Sequence, residues 1–420
     1  MTGEEALRTV EGMRADGMKP GLDRMYCALD QMGHPERQLR VVHIAGTNGK
    51  GSTARMIQAA ATACGYKTGL YTSPSVTGLL DTITIDGLSI PPEAFAAWTQ
   101  RLLGLDMGEA GALSEFELTT LAAIGWFAEQ KAELCVIECG MGGRGDATNV
   151  WEGPLVTVLT PVALDHTAWL GETVEQIAEN KCGILKRGAA VVTAPGQPPD
   201  ALAVLWERAA ALGLTVRQPQ AASAPIAQED WRHLAFSWAG RRYTLPLTGA
   251  FQRDNALTAL EALDCLRNKG YLLPEDQVAA GLAEAAMPCR QEVLRRDPLV
   301  VIDGAHNPHG IAALAASLQR YGTDGPLTMV AGMLADKDTA RCASILAPLC
   351  ARIVCCTPDN PRALPAARLA EQMAPYCADV AAVDSPEEAL RLARESVQGP
   401  LLVAGSFYLA SWARKRLLSV

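Results

Sequence analysis

Gly46-Thr47-Asn48-Gly49-Lys50-Gly51-Ser52-Thr53 is a run of small residues with a single lysine. Residues of this kind let successive backbone N–H groups approach phosphate oxygens, while a lysine ammonium neutralises the β/γ charge at the positive end of a helix. Asn48, Gly49, Lys50, Gly51, Ser52 and Thr53 are therefore the candidate nucleotide contacts, with Lys50 the candidate catalytic cation. The strict G-x-x-x-x-G-K-[ST] spacing is not met: Ile44 occupies the first glycine position, and Gly51 separates Lys50 from Ser52. A tight glycine turn with a surface lysine is the plain alternative.

Three further segments carry groups that bear on phosphate or metal chemistry. Glu138 ends an apolar run and precedes the glycine-rich stretch Cys139 through Asn149, which is where a carboxylate can hold Mg2+ on a nucleotide; an edge glutamate in solvent is the alternative. Leu164-Asp165-His166 follows another apolar run, and a lone histidine there is either a ligand or base or a structural hydrogen-bonder. Asp303-Gly304-Ala305-His306-Asn307-Pro308 closes a third run, where turn chemistry competes with the grasping of a phosphate or ribose. Lys181, read on its own, is a solvated helix residue.

The elements that must position these groups alternate in the manner of α/β proteins. Short β-branched runs at Val41–Ala45, Leu134–Cys139 and Leu155–Thr160 read as parallel strands. Ser114-x-x-Glu117 and Thr173-x-x-Gln176 read as capping boxes that open helices. From about residue 200 to 249 the pattern weakens into loops, with a hairpin turning at Ala239-Gly240, and 250–270 reads as one long helix. The alternation restarts near Met287, with strands at Leu299–Asp303, Leu327–Gly332, Ile353–Cys356 and Leu401–Gly405. The expected architecture is α/β: a P-loop-type parallel-sheet ATPase domain over residues 1–290, followed by a smaller Rossmann-like α/β domain over 291–420. A cleft between the two is expected to take the ligands.

Composition bounds the function classes. The 420 residues carry 37 basic and 46 acidic side chains, a formal charge of −9, and 49% are hydrophobic. A net acidic chain without a Lys/Arg tract is not expected to bind nucleic acid. No apolar stretch approaches the ~18–20 residues that span a bilayer, and the acidic start Met1–Glu5 is unlike a signal peptide, so the expectation is a cytoplasmic protein with no membrane partner. The twelve cysteines are scattered, without a C-x-x-C pair, and read as reduced core thiols.

Taken in order, these segments resemble the folylpolyglutamate synthase and dihydrofolate synthase family of the Mur ligase superfamily. The resemblance runs from about residue 20 to 410. It rests on His43 through Thr53, Tyr71-Thr72-Ser73-Pro74, Phe116-Glu117, Glu138 through Asn149, Leu164 through Gly171 and Glu179 through Gly183. It continues with Gln252-x-x-Asn255-Ala256, Asp303 through Pro308, Ala335 through Asp338 and Gly405-Ser406-Phe407. It implies an ATP-dependent ligase that joins L-glutamate to a folate-type carboxylate or to dihydropteroate through an acyl phosphate, working as a monomer with ATP and Mg2+. It implies Mg2+ on Ser73, Glu138 and His166, and a carbamylated Lys181. ATP contacts are implied from Asn255, Arg290 and Asp303, and His306 lies near the transferring phosphate. Phe116, Asp146 and Ala147 are implied at the substrate.

Departures from the family pattern fall after Ser73, where Ser75 replaces a histidine and Asp81-Thr82-Ile83 replaces a Glu-Arg-Ile-like triplet. Cys289 stands where glycine is usual, and Gly145 where a leucine-like residue is usual. Two other readings compete. A UDP-muramoyl amino-acid ligase shares the loop and lysine but carries an additional N-terminal domain, for which little room precedes residue 46. A nucleotide-dependent binding switch of the guanine-reading kind needs Asn-Lys-x-Asp, and Asn180-Lys181-Cys182-Gly183 lacks the acid.

Overall fold

The computed structural model describes residues 1–13, 21–396 and 399–419. They fall into two compact units, Met1–Ser223 with Asp254–Ala285, and Ala224–Arg253 with Ala286–Val420.

The first unit is built on eight strands, β1 (Val41–Ala45), β2 (Thr68–Tyr71), β3 (Ile83–Ile85), β4 (Leu88–Ser89), β5 (Leu134–Glu138), β6 (Val156–Leu159), β7 (Ala190–Thr193) and β8 (Val216–Arg217). Their order across the sheet is β4-β3-β2-β5-β1-β6-β7-β8, parallel except at β3 and β4. β1 thus lies between β5 and β6, with Ile44 opposite Glu138 on one side and Ala45 opposite Leu159 on the other. The chain leaves β1 for one side of the sheet and later returns to the other, so the C-terminal end of β1 is a switch point where an α/β sheet opens a crevice. β1 and β5 are buried along their whole length, as continuous apolar strands of a covered parallel sheet must be. The helix Glu115–Glu129, buried from Glu117 to Phe127, is one of the covering elements.

Both expected capping boxes are present. Ser114 and Thr173 accept from the backbone of Glu117 and Gln176, and open the helices Glu115–Glu129 and Val174–Lys181. The stretch after residue 200 is more regular than its sequence suggests. Pro199–Leu212 is a helix with proline at its first turn and Gly213 in the left-handed conformation at its end, burying Ala201, Leu205 and Ala209 at four-residue spacing.

The second unit holds two sheets. β9 (Ile226–Glu229), β10 (Leu234–Trp238) and β11 (Arg241–Leu245) form an antiparallel one, and the expected turn is there, with Ala239 and Gly240 both at positive φ as a two-residue hairpin loop requires. β12 (Glu292–Arg296), β13 (Leu299–Asp303), β14 (Thr328–Ala331), β15 (Arg352–Cys355), β16 (Val380–Ala382) and β17 (Leu401–Ala404) form the other, ordered β12-β13-β17-β14-β15-β16 and parallel except at β12.

The division differs from a single cut after residue 290. Ala224–Arg253 groups with the later part of the chain because its contacts are made there. Trp231 donates its indole N–H to Gly322 O at 2.8 Å and meets the Tyr321 ring edge-on, while Gly249 N donates to the Tyr321 hydroxyl at 3.0 Å. Partners about 70 to 90 residues away leave no local sequence pattern. All twelve cysteines are free thiols and ten are buried. Among the described residues no helix is long and apolar enough to cross a membrane.

Candidate active site

The loop after β1 is shaped by glycines with no room for a side chain. A Cβ on Gly46 would be driven into the Thr160 side chain, and one on Gly49, whose φ is 88°, into the Asn255 amide. Gly49 caps the helix Lys50–Ala63, so the helix's first N–H groups face the loop, the arrangement that binds phosphate. Asn255, on the helix Phe251–Arg267, is thereby brought to the phosphate loop although 206 positions separate it from Gly49. Ser52 and Thr53 are buried, and the Thr53 hydroxyl has no hydrogen-bond partner.

Two amines converge on one carbonyl. Lys50 Nζ donates to Gly46 O at 3.2 Å and Thr47 O at 3.3 Å, and Lys181 Nζ donates to Gly46 O at 2.8 Å. Lys181 is 3% exposed, not the solvated helix residue its sequence position suggests. Burial, and after it the Lys50 charge, push its pKa down from 10.5 to about 7. Lys50 Nζ also lies 4.0 Å from Glu138 Oε1.

Glu138, at the end of β5 and 3% exposed, accepts from Ser73 N at 3.2 Å through its other oxygen, so Ser73 and Glu138 adjoin. The segment carrying His166 is tied to the same loop: Thr47 N donates to Pro161 O at 2.8 Å, and Thr47 Oγ1 and Ala163 exchange hydrogen bonds at 3.0 Å. His166 N donates to Asp165 Oδ1, and His166 itself sits at φ 51° ahead of the short helix Thr167–Leu170. Among the described residues no three His, Cys, Asp or Glu side chains group as a metal cage. Of the Ser73, Glu138 and His166 expected to hold Mg2+, the Glu138 carboxylate is the donor that ion prefers, since it takes oxygen ligands and keeps waters and substrate phosphates as the rest.

The glycine-rich stretch after Glu138 folds back against the end of the helix Val174–Lys181. Arg144 N donates to Asn180 O and Gly143 N to Asn180 Oδ1, and a Cβ on Gly143 would stand 2.7 Å from Lys181 O. Asp146 is buried and accepts from Met141 N at 2.7 Å, Thr148 N at 3.0 Å and Thr148 Oγ1 at 2.6 Å; Ala147 beside it is buried too. Burial raises the Asp146 pKa against those hydrogen bonds. Phe116 lies over Gly140, which leaves no space for a Cβ, and its ring is 6.0 Å from Tyr71.

In the second unit Arg290, Asp303 and His306 come together. Asp303 ends β13, is buried, and accepts from Ala305 N and from Gln291 N at 2.7 Å. Burial raises its pKa, and the nearby Arg290 charge works in the opposite direction. The Arg290 guanidinium lies 4.3 Å above the Phe407 ring, and the His306 ring 5.9 Å from it. His306 Nδ1 is 2.9 Å from Gly304 O; a carbonyl only accepts, so the neutral ring carries its proton on Nδ1.

Three further residues lie in segments the sequence singled out but are given no individual role by it. Thr47 stitches the phosphate loop to the His166 segment, Phe407 is the platform under Arg290 and His306, and His43 lies in the middle of β1. His43 leaves the plainest local signal for a role of its own, a titratable residue inside an otherwise apolar strand.

Comparison with known proteins agrees with this geometry. Residues 44–263 match the Mur ligase middle domain, and residues 289–407 match the Mur ligase, glutamate ligase domain. The chain is 33% identical to the dihydrofolate synthase/folylpolyglutamate synthase of Bacillus subtilis (strain 168), over 99% of both chains. Its structure superposes with a TM-score of 0.89 and 31% identity on Mycobacterium tuberculosis folylpolyglutamate synthase complexed with ADP and AMPPCP, covering 99% of each chain. The TM-score is 0.87 at 28% identity to E. coli FolC in complex with DHPP and ADP, covering 100% of this chain and 98% of that one.

Proposed function

The chain belongs to the folylpolyglutamate synthase/dihydrofolate synthase family of Mur ligases, and from that premise we propose that it is an ATP-dependent ligase adding L-glutamate to a folate-type carboxylate, to dihydropteroate, or to both. The observation that carries this reading is the convergence of Lys50 and Lys181 on Gly46 O at the end of β1, with Glu138 4.0 Å from Lys50.

A carboxylate resists attack by an amine because its charge repels the nucleophile and oxide is a poor leaving group. Transfer of the ATP γ-phosphoryl to the acid removes both obstacles. The glutamate amine then attacks the acyl carbon, the carbon–oxygen bond to phosphate breaks, and an amide, ADP and phosphate result. The protein's part is positioning and charge neutralisation. The N–H groups at the start of the helix Lys50–Ala63 hold phosphate oxygens, and Lys50 offsets the charge on the moving group. Asn255 borders the same loop, and Arg290, Asp303 and His306 are further nucleotide contacts in this reading.

Ser73, Glu138 and His166 would hold Mg2+, which supplies charge neutralisation on the phosphates when bound. Lys181 supplies the remaining ligand chemistry in carbamylated form. Only a neutral amine adds CO2, and burial keeps a large fraction of Lys181 neutral at neutral pH. The carbamate exchanges a cation for an anionic oxygen donor beside the phosphate loop. Phe116 and the Asp146–Ala147 segment border the acid substrate.

The test is glutamate incorporation by the purified chain with dihydropteroate and with a reduced folate, side by side, with ATP and Mg2+. Ligation of either acid, dependent on all components, is the expected result. ATP hydrolysis indifferent to acid and amine overturns it.

A further inference from the structure

His43 is fully buried in β1, two residues before Ala45 at the strand's end, and its ring points to a polar chain rather than to the apolar core. Its Nε2 lies 2.9 Å from Thr148 Oγ1 and 3.2 Å from Cys139 Sγ, and Thr148 Oγ1 lies 2.6 Å from Asp146 Oδ1. With Asp146 ionised, its short contact to Thr148 sets the donors, and the Cys139 thiol, 3.4 Å from Thr148 Oγ1, is the weaker neighbour. The carboxylate accepts from the Thr148 hydroxyl, which leaves that oxygen to accept from His43 Nε2–H. The other ring nitrogen, Nδ1, then carries no proton, and it is the nitrogen that has no partner in the structure. A bare nitrogen left alone costs less than a buried N–H left alone, since no donor is stranded.

We propose that His43 is a positioning residue for the acid substrate, holding the 139–149 loop in its working shape through the relay His43 Nε2–H to Thr148 Oγ1–H to Asp146. This rests on the ligase reading above. Asp146 is the hub of that loop. Its second oxygen takes Met141 N, and its backbone spans to Gly143 O and Asn149 N, so fixing the carboxylate fixes both ends of the loop. His43 can serve as the anchor because β1 is clamped between β5 and β6, with His43 opposite Ile137 and Thr157. The loop has no ladder of its own: Asn180 and Gly183 hold its outer side, and the relay holds Asp146 from the strand side. The same anchor strand leads into the phosphate loop, so one rigid strand sets the relative register of the nucleotide loop and the acid-binding loop. The neutral ring that the relay needs is the one burial enforces, with the His43 pKa pushed down to about 3, mainly by desolvation and then by the Lys186 charge.

The experiment compares steady-state kinetics of wild type with H43L, H43Q, T148V and T148S, measuring KM for the acid and for ATP separately. Thr148→Val keeps the side-chain shape and removes the hydroxyl. His43→Gln keeps an N–H donor close to where Nε2 stands. H43L and T148V are expected to raise the KM of the acid by roughly tenfold or more, T148V because it removes a hydroxyl donor of the buried Asp146 carboxylate and H43L because it leaves the Thr148 hydroxyl without the N–H that orients it, with the ATP KM within about twofold. H43Q and T148S restore most of the acid KM, and H43L/T148V together are no worse than either alone, because both cut one relay. An unchanged acid KM in T148V overturns the proposal. So does an equal rise in both KM values, or a failure of H43Q and T148S to restore the acid KM. A wild type that ligates neither acid overturns the ligase reading itself, which separates that failure from this one.

Discussion

Lys181 donates to the same carbonyl oxygen, Gly46 O, that accepts from Lys50, although 131 positions separate the two lysines in the chain. Two ammonium groups on one acceptor, one of them almost fully buried, repel each other. The Lys50 charge is one of the causes that drive Lys181 toward its neutral form. The pair is thus biased toward one cation and one neutral amine, the combination that the proposed phosphoryl transfer and the proposed carbamate would use.

In the proposed mechanism, replacing Lys50 by alanine removes the cation beside the transferred phosphoryl group. Loss of one such charge contact costs about 3–4 kcal/mol of transition-state stabilisation, or ~10²–10³ in rate. Initial-rate measurements of amide formation are expected to fall by that factor while the circular dichroism spectrum stays that of the wild type. Normal ligation rates in Lys50→Ala remove the loop from the chemistry.

Lys181→Ala is expected to be inactive and to regain part of its activity when short carboxylic acids are added to occupy the carbamate's place. Wild-type activity is expected to rise with added bicarbonate after prior degassing at low pH. A protein indifferent to both treatments has no carbamate at this position.

His43 gives the chain a pH dependence whose sign follows from its buried neutral ring. The unfolded chain protonates this histidine near 6.5, while the folded one resists until about 3. Between these values the unfolded state binds more protons, so the stability present above about 6.5 is lost as pH falls toward 3. Urea unfolding of wild type and His43→Gln at neutral and mildly acidic pH is expected to show a shallower loss in the variant, the difference being at most about 1.4 kcal/mol per pH unit. Parallel curves contradict the buried neutral histidine.

Cys289 sits at φ 57° immediately before Arg290. A left-handed residue with a Cβ costs about 1–2 kcal/mol, which is the physical reason the related pattern has glycine there. The thiol is fully buried, so its loss offsets part of the relief. The discriminating comparison is Cys289→Gly against Cys289→Ala. Glycine is expected to be at least as stable as alanine by thermal unfolding, the reverse of the ~1 kcal/mol advantage alanine holds in a helix. Alanine clearly ahead rules out the strained backbone.

Much of this site was legible because it is local. The loop 46–53 is read from contiguous small residues between a strand and a helix, and the ends of β5 and β13 are read from Glu138 and Asp303 closing apolar runs. Capping boxes at Ser114 and Thr173 announce themselves three residues ahead. What the sequence conceals is made by distant partners. Asn255 reaches Gly49 from a helix 206 positions on, and Lys181 is buried against Gly46; local pattern foretells neither contact, and only the family resemblance put both residues at the site. The segment 224–253 joins the second unit because Trp231 and Glu229 find Tyr321 and Gly322, which no periodicity foretells. The relay from His43 to Asp146 has the same origin, since Thr148 meets His43 across 105 positions.

The central claim is that ATP is consumed to make an acyl phosphate from the acid. It is tested most directly by supplying the acid with heavy oxygen in its carboxylate and following the label during ligation of glutamate by the wild-type protein. Activation by phosphoryl transfer carries one labelled oxygen from the acid into the released phosphate for each amide formed. Phosphate released without label, while amide accumulates, would show that the acid never bonded to the phosphoryl group and would contradict the mechanism.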